Sequence, residues 1–214
     1  QQLQDAQEQL GEENTLLQAE LELKEQRTKT DEKNRLYDRI AKEVEPQLIK
    51  TDMLLQRMAK EPENKARLLA RVCVLGSYIK RRGNLLLLGE DAEKIPAREL
   101  EYCIRESLEN LRLGDVYTSL NPNCEGHLML KHVVAAYDFY ETVTERLLDD
   151  ITAMLVNLSC HDSSIRMNIQ LGCTEEIAHK VLEDISLPFG SFSYEFMDED
   201  VVINLIINEG GEKA

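Results

Sequence analysis

The first 45 residues contain no proline, and Gln, Glu, Leu, Lys and Ala predominate among them. These residues have high helix propensity, and an uninterrupted stretch of them is typical of a long α-helix. We therefore predict one helix over residues 1 to about 60, with Pro46 as the only interruption. Because proline lacks a backbone N–H and its ring clashes with the preceding turn, we expect a kink there.

Leucines seven residues apart near the start of the chain predict a coiled coil. Leu3, Leu10 and Leu17 follow a heptad. That register places Asn14 in the apolar seam, where asparagine can fix the register and a dimeric state. The stretch that follows is almost entirely polar, so a solvated single helix over residues 1–33 is the alternative interpretation.

Two further apolar stripes predict a helical hairpin over residues 34–92, with a turn at residues 60–66. The first helix carries Leu36, Ile40, Val44 and Leu48, continued by Met53, Leu55 and Met58, and the second carries Leu68, Val72, Leu75, Ile79 and Leu86. A two-helix hairpin cannot bury stripes this wide by itself. We therefore expect a homodimer through residues 34–92, in which two hairpins form a four-helix bundle.

Residues 93–214 alternate between helical and strand patterns. Helices are predicted over residues 95–114, 130–150 and 174–185, and strands over 116–121, 127–130, 151–158, 165–171, 191–197 and 201–207. We place Pro96 in the first turn of the first of these helices, and a turn over residues 121–126 between two paired strands. The order predicts an α+β fold, a two-layer α/β sandwich with helices on one face of a mixed sheet.

Charge and composition exclude several classes of function. A formal net charge of −15 repels nucleic acid and anionic membranes, so neither is expected as a partner. No run of about 18 apolar residues occurs, so we expect no membrane insertion of this fragment. The five cysteines are dispersed without a C-x-x-C pair, which predicts free thiols in a reducing compartment and no zinc site.

A helical stalk, a helical hairpin and an α/β sandwich, in this order, resemble the cytoplasmic region of bacterial sensor histidine kinases. The resemblance covers nearly the whole chain. In that family the first hairpin helix carries a phosphoacceptor histidine, and "RLYDRIA", residues 35–41, matches the spacing around it with Tyr37 in the place of the histidine. A second alignment, anchored on Pro46, puts Ala41 in that place. No histidine precedes His127.

The missing histidine implies that this hairpin does not accept a phosphoryl group by the family's usual route. Tyr37 could act as the acceptor only with a nearby base. Its neighbour Asp38 points about 100° away on a helix. A packed or partly buried tyrosine is the interpretation we favour, so the resemblance implies no catalytic residue.

The resemblance also implies where a nucleotide would bind. The family's nucleotide-binding helix has a Glu and, four residues later, a Mg²⁺-binding Asn, and "ETVTE" here supplies Glu141 and Glu145. The alternative is a solvated acidic helix face. The family's next motif, D-x-G-x-G, is replaced by "GCTEE", which keeps only Gly172, and Gly190 stands alone. The pocket is therefore expected to be erased, with no cofactor and no metal; Mg-ATP is the alternative.

The basic run Lys80-Arg81-Arg82 lies within "LGSYIKRRGNLLLL", which resembles the second hairpin helix of a group of histidine kinase-like bacterial proteins. Such a run could hold a phosphate or an acidic partner. Three successive helical residues span about 200°, however, so they cannot form one patch. We expect Arg82 to face the helix seam and to pair with an acidic residue such as Glu43. The histidines are expected at the surface: His127, His132, His161 and His179.

These observations predict a non-catalytic, histidine kinase-like signal-transduction module. Residues 1–33 would be a coiled-coil signalling helix, 34–92 the dimerisation hairpin and 93–214 an ATPase-like sandwich that meets a protein partner. We expect a cytoplasmic protein, or the cytosolic part of a membrane-anchored sensor. The alternatives are an active kinase or ATPase with a divergent pocket that uses Glu141 and Glu145 for Mg²⁺, and a structural coiled-coil dimer.

Overall fold

The computed structural model describes residues 2–161, 163–198 and 200–208, with the side chains of 1–15 and of Asp91 left undescribed. These residues form two units, one ending at Glu43 and the other beginning at Val44. Asp162, Glu199 and the segment 209–214 lie outside the described residues.

The long N-terminal helix predicted from the sequence is confirmed. Helix α1 spans Gln2–Lys60 and remains helical through Pro46. Leucines of its first unit, from Leu16 to Leu23, are about half exposed or more. The coiled coil over residues 1–33 stays a prediction. Three of its seam positions have side chains outside the described residues: Leu3, Leu10 and Asn14.

A short 3₁₀ turn at Pro62–Asn64 joins α1 to helix α2, Lys65–Asp91, as the predicted hairpin requires. Leu54 of α1 packs with Leu68 and Leu75 of α2 in a small buried cluster. Another part of the hairpin's apolar surface is less well covered. Leu48 and Leu55, two residues of the predicted stripe, are 48% and 43% exposed.

The region after the hairpin has the predicted α+β class. The elements are β1 (Lys94–Pro96), α3 (Arg98–Leu111), β2 (Tyr117–Cys124), β3 (His127–Met129), α4 (Leu130–Leu147), β4 (Ala153–His161), β5 (Ser164–Gly172), α5 (Glu175–Glu183), β6 (Ser191–Met197) and β7 (Asp200–Ile207). The main sheet has the order β2-β4-β5-β7-β6, in which β2 and β4 run parallel and the other pairs are antiparallel.

Two details of the predicted strand pairing are wrong. β3 pairs with β1, so Pro96 belongs to a short strand and not to a helix. β2 continues to Cys124 through the segment predicted as a turn, pairing with β4 over its full length. The segment reads as a turn because it contains Pro122. Proline is tolerated there because β2 is an edge strand, where a missing N–H need not break the ladder.

The two faces of the main sheet differ in character. One face buries alternating apolar side chains under the helices, for example Met154 and Ile169, both 0% exposed. The other face carries an amide ladder across four strands, with hydrogen bonds of 3.2, 3.3 and 2.8 Å joining Asn121, Asn157, Asn168 and Asn204 in turn. The alternation fixes the register, because a slip of one residue would bury the amides.

Helix α2 packs on the sandwich as well as on α1. Val74, Tyr78 and Leu85 belong to the main hydrophobic core together with residues of α3 and α4. One side of α2 therefore meets α1 and another meets the sandwich. The domain boundary predicted at residues 92 and 93 falls between α2 and β1 and stays a prediction. Among the described residues, no helix is both long and apolar enough to cross a membrane.

Candidate functional site

The candidate site is a cavity of about 510 Å³ beside helix α4. Its floor is one side of that helix, formed by residues spaced seven, four and four apart: Lys131, Asp138, Thr142 and Arg146. This spacing puts them on one helical face. The opposite wall is the irregular segment from Asp184 to Phe189, and α2 contributes Arg82.

Asp138 is the contact point between the hairpin and the sandwich. Tyr78 donates a hydrogen bond from Oη to Asp138 Oδ1 at 2.9 Å, and Arg82 Nε lies 3.2 Å from the same oxygen. Tyr78 and Arg82 are one helical turn apart on α2. Burial, together with the nearby Asp138 carboxylate, raises the pKa of Tyr78 well above its ordinary value, so the phenol stays protonated and remains a donor.

Two further basic residues, Lys131 and Arg146, line the cavity. Lys131 Nζ lies 5.2 Å from the centre of the Phe189 ring, a cation–π distance. Arg146 reaches the carbonyl of Val181 at 3.5 Å. With Arg82, three basic side chains face the carboxylates of Asp138 and Asp184 around one space. Its chemistry suits a small anion or a polar segment of another protein.

Glu141 does not belong to this cavity. Its side chain is buried, and burial raises its pKa from 4.5 to about 8. The hydroxyls of Ser107 and Tyr137 oppose that shift from nearby, although neither reaches hydrogen-bond geometry. In the described part of the chain, Glu141 Oε1 has no hydrogen-bond partner. The predicted solvated acidic face is therefore wrong for Glu141, because this side of α4 packs inward.

Glu145 has a different environment from Glu141. It is partly exposed and accepts a hydrogen bond from Lys50 Nζ of α1 at 2.5 Å. Within the described residues the two carboxylates are not brought together at one opening: Glu141 lies in the interior, and Glu145 lines a smaller groove beside α1. Their role as a Mg-ATP position stays a prediction. The described residues contain no group of three or more His, Cys, Asp or Glu side chains arranged to hold a metal ion.

The basic run on α2 is divided between two partners. Lys80 Nζ and Arg81 Nε both contact Glu106 of α3, at 2.6 and 2.5 Å. Arg82 contacts Asp138 instead. The three residues therefore do not form one patch, as the helical geometry predicts. The expected pairing of Arg82 with Glu43 stays a prediction.

The remaining residues singled out from the sequence are Tyr37 and the four histidines. Tyr37 is 56% exposed, so the described part of the chain does not provide the predicted packed environment. His127 and His179 are exposed, as predicted, and His161 is half-buried. His132 contradicts the surface prediction, because it is 3% exposed and its ring stands 5.4 Å from that of Phe189, beside the cavity.

Of the charged residues that line the cavity, the sequence singles out Arg82 but not Lys131, Asp138 or Arg146. The spacing of Tyr78 and Arg82 on α2, and that of Lys131, Asp138 and Arg146 on α4, could have indicated two polar helix faces. Nothing in the sequence shows that these faces meet, because their contact depends on how α2 packs on α4.

Comparisons with known proteins give similarity in solved structures alone. No protein-family model matches the sequence, and no curated protein matches it. Similar solved structures include the histidine kinase domain of the blue-light-activated histidine kinase of Erythrobacter litoralis EL346, with a TM-score of 0.44 and 10% identity over 78% of this chain and 93% of that chain. A bacterial phosphotransferase has a TM-score of 0.43 and 12% identity over 79% and 93%.

A third similar structure is the histidine kinase AdeS of Acinetobacter baumannii, with a TM-score of 0.40 and 10% identity over 76% of this chain and 97% of that chain. Two of these three are histidine kinases by name, the family that the sequence resembles. TM-scores and identities this low carry no argument about activity, ligands or partners.

Proposed function

We propose that this chain is a non-catalytic, histidine kinase-like signalling module, which dimerises through its hairpin and relays a conformational input to a partner protein. One observation carries the proposal. Helix α2 contacts α1 on one side and the sandwich on another, and Tyr78 and Arg82 fix it to Asp138 at the edge of the cavity. A movement of the hairpin therefore reaches the cavity through direct contacts.

The proposed loss of catalysis is supported by the absence or burial of residues that the reaction would need. The hairpin contains no histidine to accept a phosphoryl group. The carboxylate at the degenerate nucleotide position, Glu141, is buried and directed into the core. A single glycine, Gly172, ends strand β5, where the family has two glycines and an aspartate.

The proposed dimer is supported by the apolar surface that the hairpin leaves uncovered. Leu48 and Leu55 lie seven residues apart, on one side of α1, and are 48% and 43% exposed. Leu69 of α2 is 45% exposed. Exposed leucines at heptad spacing on a helical hairpin suit a second copy of the same hairpin, since each copy would bury the other's stripe.

In the proposed relay, α1 shifts or rotates, with Pro46 as a pivot, and α2 transmits the change to α4. The partner would recognise the sandwich in one state of the hairpin. A purely structural dimer differs in one respect, because substitutions in α1 would not change how the partner binds.

The first test is a calorimetric titration of the full chain with Mg-ATP. We expect no binding with a dissociation constant below about 1 mM, which corresponds to roughly −4 kcal/mol. Tighter binding would remove the proposed loss of catalysis and favour an active kinase or ATPase with a divergent pocket.

The second test is sedimentation of the wild type beside a Leu48→Glu/Leu55→Glu variant. The wild type is expected to sediment as a dimer of the 24.5 kDa chain, and the variant as a monomer. Met197→Glu is the control, because Met197 is 54% exposed and belongs to β6, which is not part of the hairpin. A monomeric wild type at micromolar concentration would contradict the proposal.

A second candidate function, binding of an anionic ligand, is favoured by the three cations that line the cavity. A phosphorylated ligand or a nucleotide would be held by Lys131 and Arg146 at its edges. If the Mg-ATP titration shows binding, the Lys131→Ala/Arg146→Ala variant should abolish it. Binding that survives this variant would place the nucleotide elsewhere.

A further inference from the structure

Two buried thiols lie side by side at the end of neighbouring strands. Cys124 is the last residue of β2, and Cys160 is directly opposite it in the register with β4. Their sulfur atoms are 3.3 Å apart and are joined by a hydrogen bond. Both residues are free cysteines. Thiols 36 residues apart in the sequence are thus placed in contact by the sheet alone.

The backbone at this pair can accept a covalent link. Neighbouring strands are about 4.8 Å apart, which lies within the range of about 4.4–6.8 Å that disulfides require between Cα atoms. The sulfur atoms need to approach by roughly 1.3 Å to reach the usual S–S length. The next residue, Glu125, donates its backbone N–H to the carbonyl of Cys160 at 3.1 Å, so the two strand ends stay in register.

One of the two cysteines borders a cavity at the surface. Cys124 lines a polar surface cavity of about 330 Å³ whose other walls include Arg98, Glu101 and Tyr102. Arg98 and Tyr102 are exposed. Cys124 is 7% exposed, whereas Cys160 is 0% exposed behind it. A small oxidant would therefore meet Cys124 first.

The pair is also chemically asymmetric. The hydrogen bond with Cys160 lowers the pKa of Cys124, with burial opposing the shift. The same contact and burial raise the pKa of Cys160. Once Cys124 ionises, Cys160 Sγ–H donates to its thiolate. The thiolate is the nucleophilic form, so Cys124, which borders the surface cavity, is also the more reactive of the two.

We propose that Cys124 and Cys160 form a reversible intramolecular disulfide when the protein meets a hydroperoxide. The Cys124 thiolate attacks the peroxide oxygen, the O–O bond breaks, and water or an alcohol leaves after taking up a proton; Cys124 becomes a sulfenic acid. The sulfur of Cys160 then attacks that of Cys124, losing its proton and releasing water. Two thiols and one hydroperoxide give one disulfide, one water and one water or alcohol, with two electrons passing to the peroxide.

The remaining cysteines provide internal controls. Burial raises the pKa of Cys103 to about 12 and that of Cys173 to about 11, which keeps both as unreactive thiols. Cys73 is half-buried on α2. A Cys73→Ser background removes the remaining candidate for cross-linking between copies of the chain.

The test treats the folded full chain with hydrogen peroxide, quenches it with acid, and counts thiols after denaturation. We expect the five thiols of the reduced protein to fall to three, a peptide map that joins the segments containing Cys124 and Cys160, and full recovery of thiols with dithiothreitol. Five remaining thiols, a link between other cysteines, or irreversible oxidation of Cys124 without a link would overturn the proposal.

Two variants separate the roles of the sulfur atoms. Cys160→Ser should stop the reaction at the sulfenic acid of Cys124, which dimedone traps, whereas Cys173→Ser should form the disulfide as the wild type does. Near-ultraviolet circular dichroism checks that each variant is folded. If Cys160→Ser does not fold, the thiol count and peptide map of the wild type still decide the question. The result is independent of the proposed signalling function, because neither the dimer nor the nucleotide titration enters it.

Discussion

Tyr78 of α2 donates a hydrogen bond from Oη to Asp138 Oδ1 of α4 at 2.9 Å. The Tyr78 ring also packs against Tyr137, with ring centres 5.5 Å apart. Replacing Tyr78 with Phe should keep the ring contact and remove only the hydrogen bond. We expect the free energy of unfolding to fall by about 1–2 kcal/mol, since the acceptor is a carboxylate. Urea denaturation of the wild type and the variant measures this change in the free energy of unfolding.

The control for this substitution is Tyr117→Phe. Tyr117 is 68% exposed at the start of β2, so the loss of its hydroxyl should change stability by less than about 0.5 kcal/mol. Equal losses in the two variants would mean that the Tyr78 hydroxyl has no special role in joining α2 to α4.

The ion pair between Arg82 and Asp138 should have a larger coupling free energy than the ion pair between Lys80 and Glu106. The Arg82 side chain is only 10% exposed, whereas Lys80, which pairs with Glu106, is 58% exposed. In a double-mutant cycle with Arg82→Met and Asp138→Asn, we expect a coupling of about 1–2 kcal/mol. The equivalent cycle for Lys80 and Glu106 should give less than about 1 kcal/mol. The reverse ranking would contradict this account of the contact.

The sequence predicts most of the fold because periodicity reports which side of an element is buried. The alternation of apolar residues identifies β5 correctly, and the absence of proline from the first 45 residues identifies most of α1. The prediction of a turn around Pro122 is wrong because turn-forming residues also occur in edge strands. The pairing of β3 with β1 could not be predicted, since a strand of three residues carries too little pattern to identify its partner.

The candidate site was harder to predict than the fold. Glu141 and Glu145 are one turn apart, and spacing alone assigns them to one face. Packing separates them, because the boundary between the buried and exposed sides of α4 passes between the two residues. The contact of Cys124 with Cys160 cannot be predicted from the sequence for a similar reason, since it depends on the parallel pairing of β2 and β4.

Glu141 should make stability depend on pH. Its pKa in the folded protein is about 8, raised by burial from an ordinary value of 4.5. The folded state therefore holds a proton that the unfolded state loses between these values. Its contribution is fully present below about pH 4.5 and is lost as the pH rises through 8, at no more than about 1.4 kcal/mol per pH unit. Glu141→Gln should remove this dependence, which denaturation at pH 5 and pH 8 would detect.

A substitution of Ser107 is a second test of the raised pKa of Glu141. Its hydroxyl lowers the pKa of Glu141, so Ser107→Ala should raise that pKa further. A carbon-13 titration of the glutamate side chains measures both proteins directly. A lower pKa of Glu141 in Ser107→Ala, or a wild-type carboxyl that titrates near 4.5, would contradict the prediction.

Substitutions of Gly126 and Gly190 compare the cost of a left-handed backbone conformation with the cost of a steric clash. Gly126 and Gly190 both have φ of +75°. A Cβ on Gly126 would meet nothing within 4 Å, so Gly126→Ala should cost only the left-handed conformation, about 1–2 kcal/mol.

A Cβ on Gly190 would collide with the backbone carbonyl of Ile206 in β7 and lie 2.9 Å from Ile207 Cγ1. Because a backbone carbonyl within the sheet cannot move aside, Gly190→Ala should lower the free energy of unfolding by about 3 kcal/mol or more. Similar losses in the two variants would mean that the segment before β6 can move away from β7, and the wall of the cavity that it forms would then be adaptable.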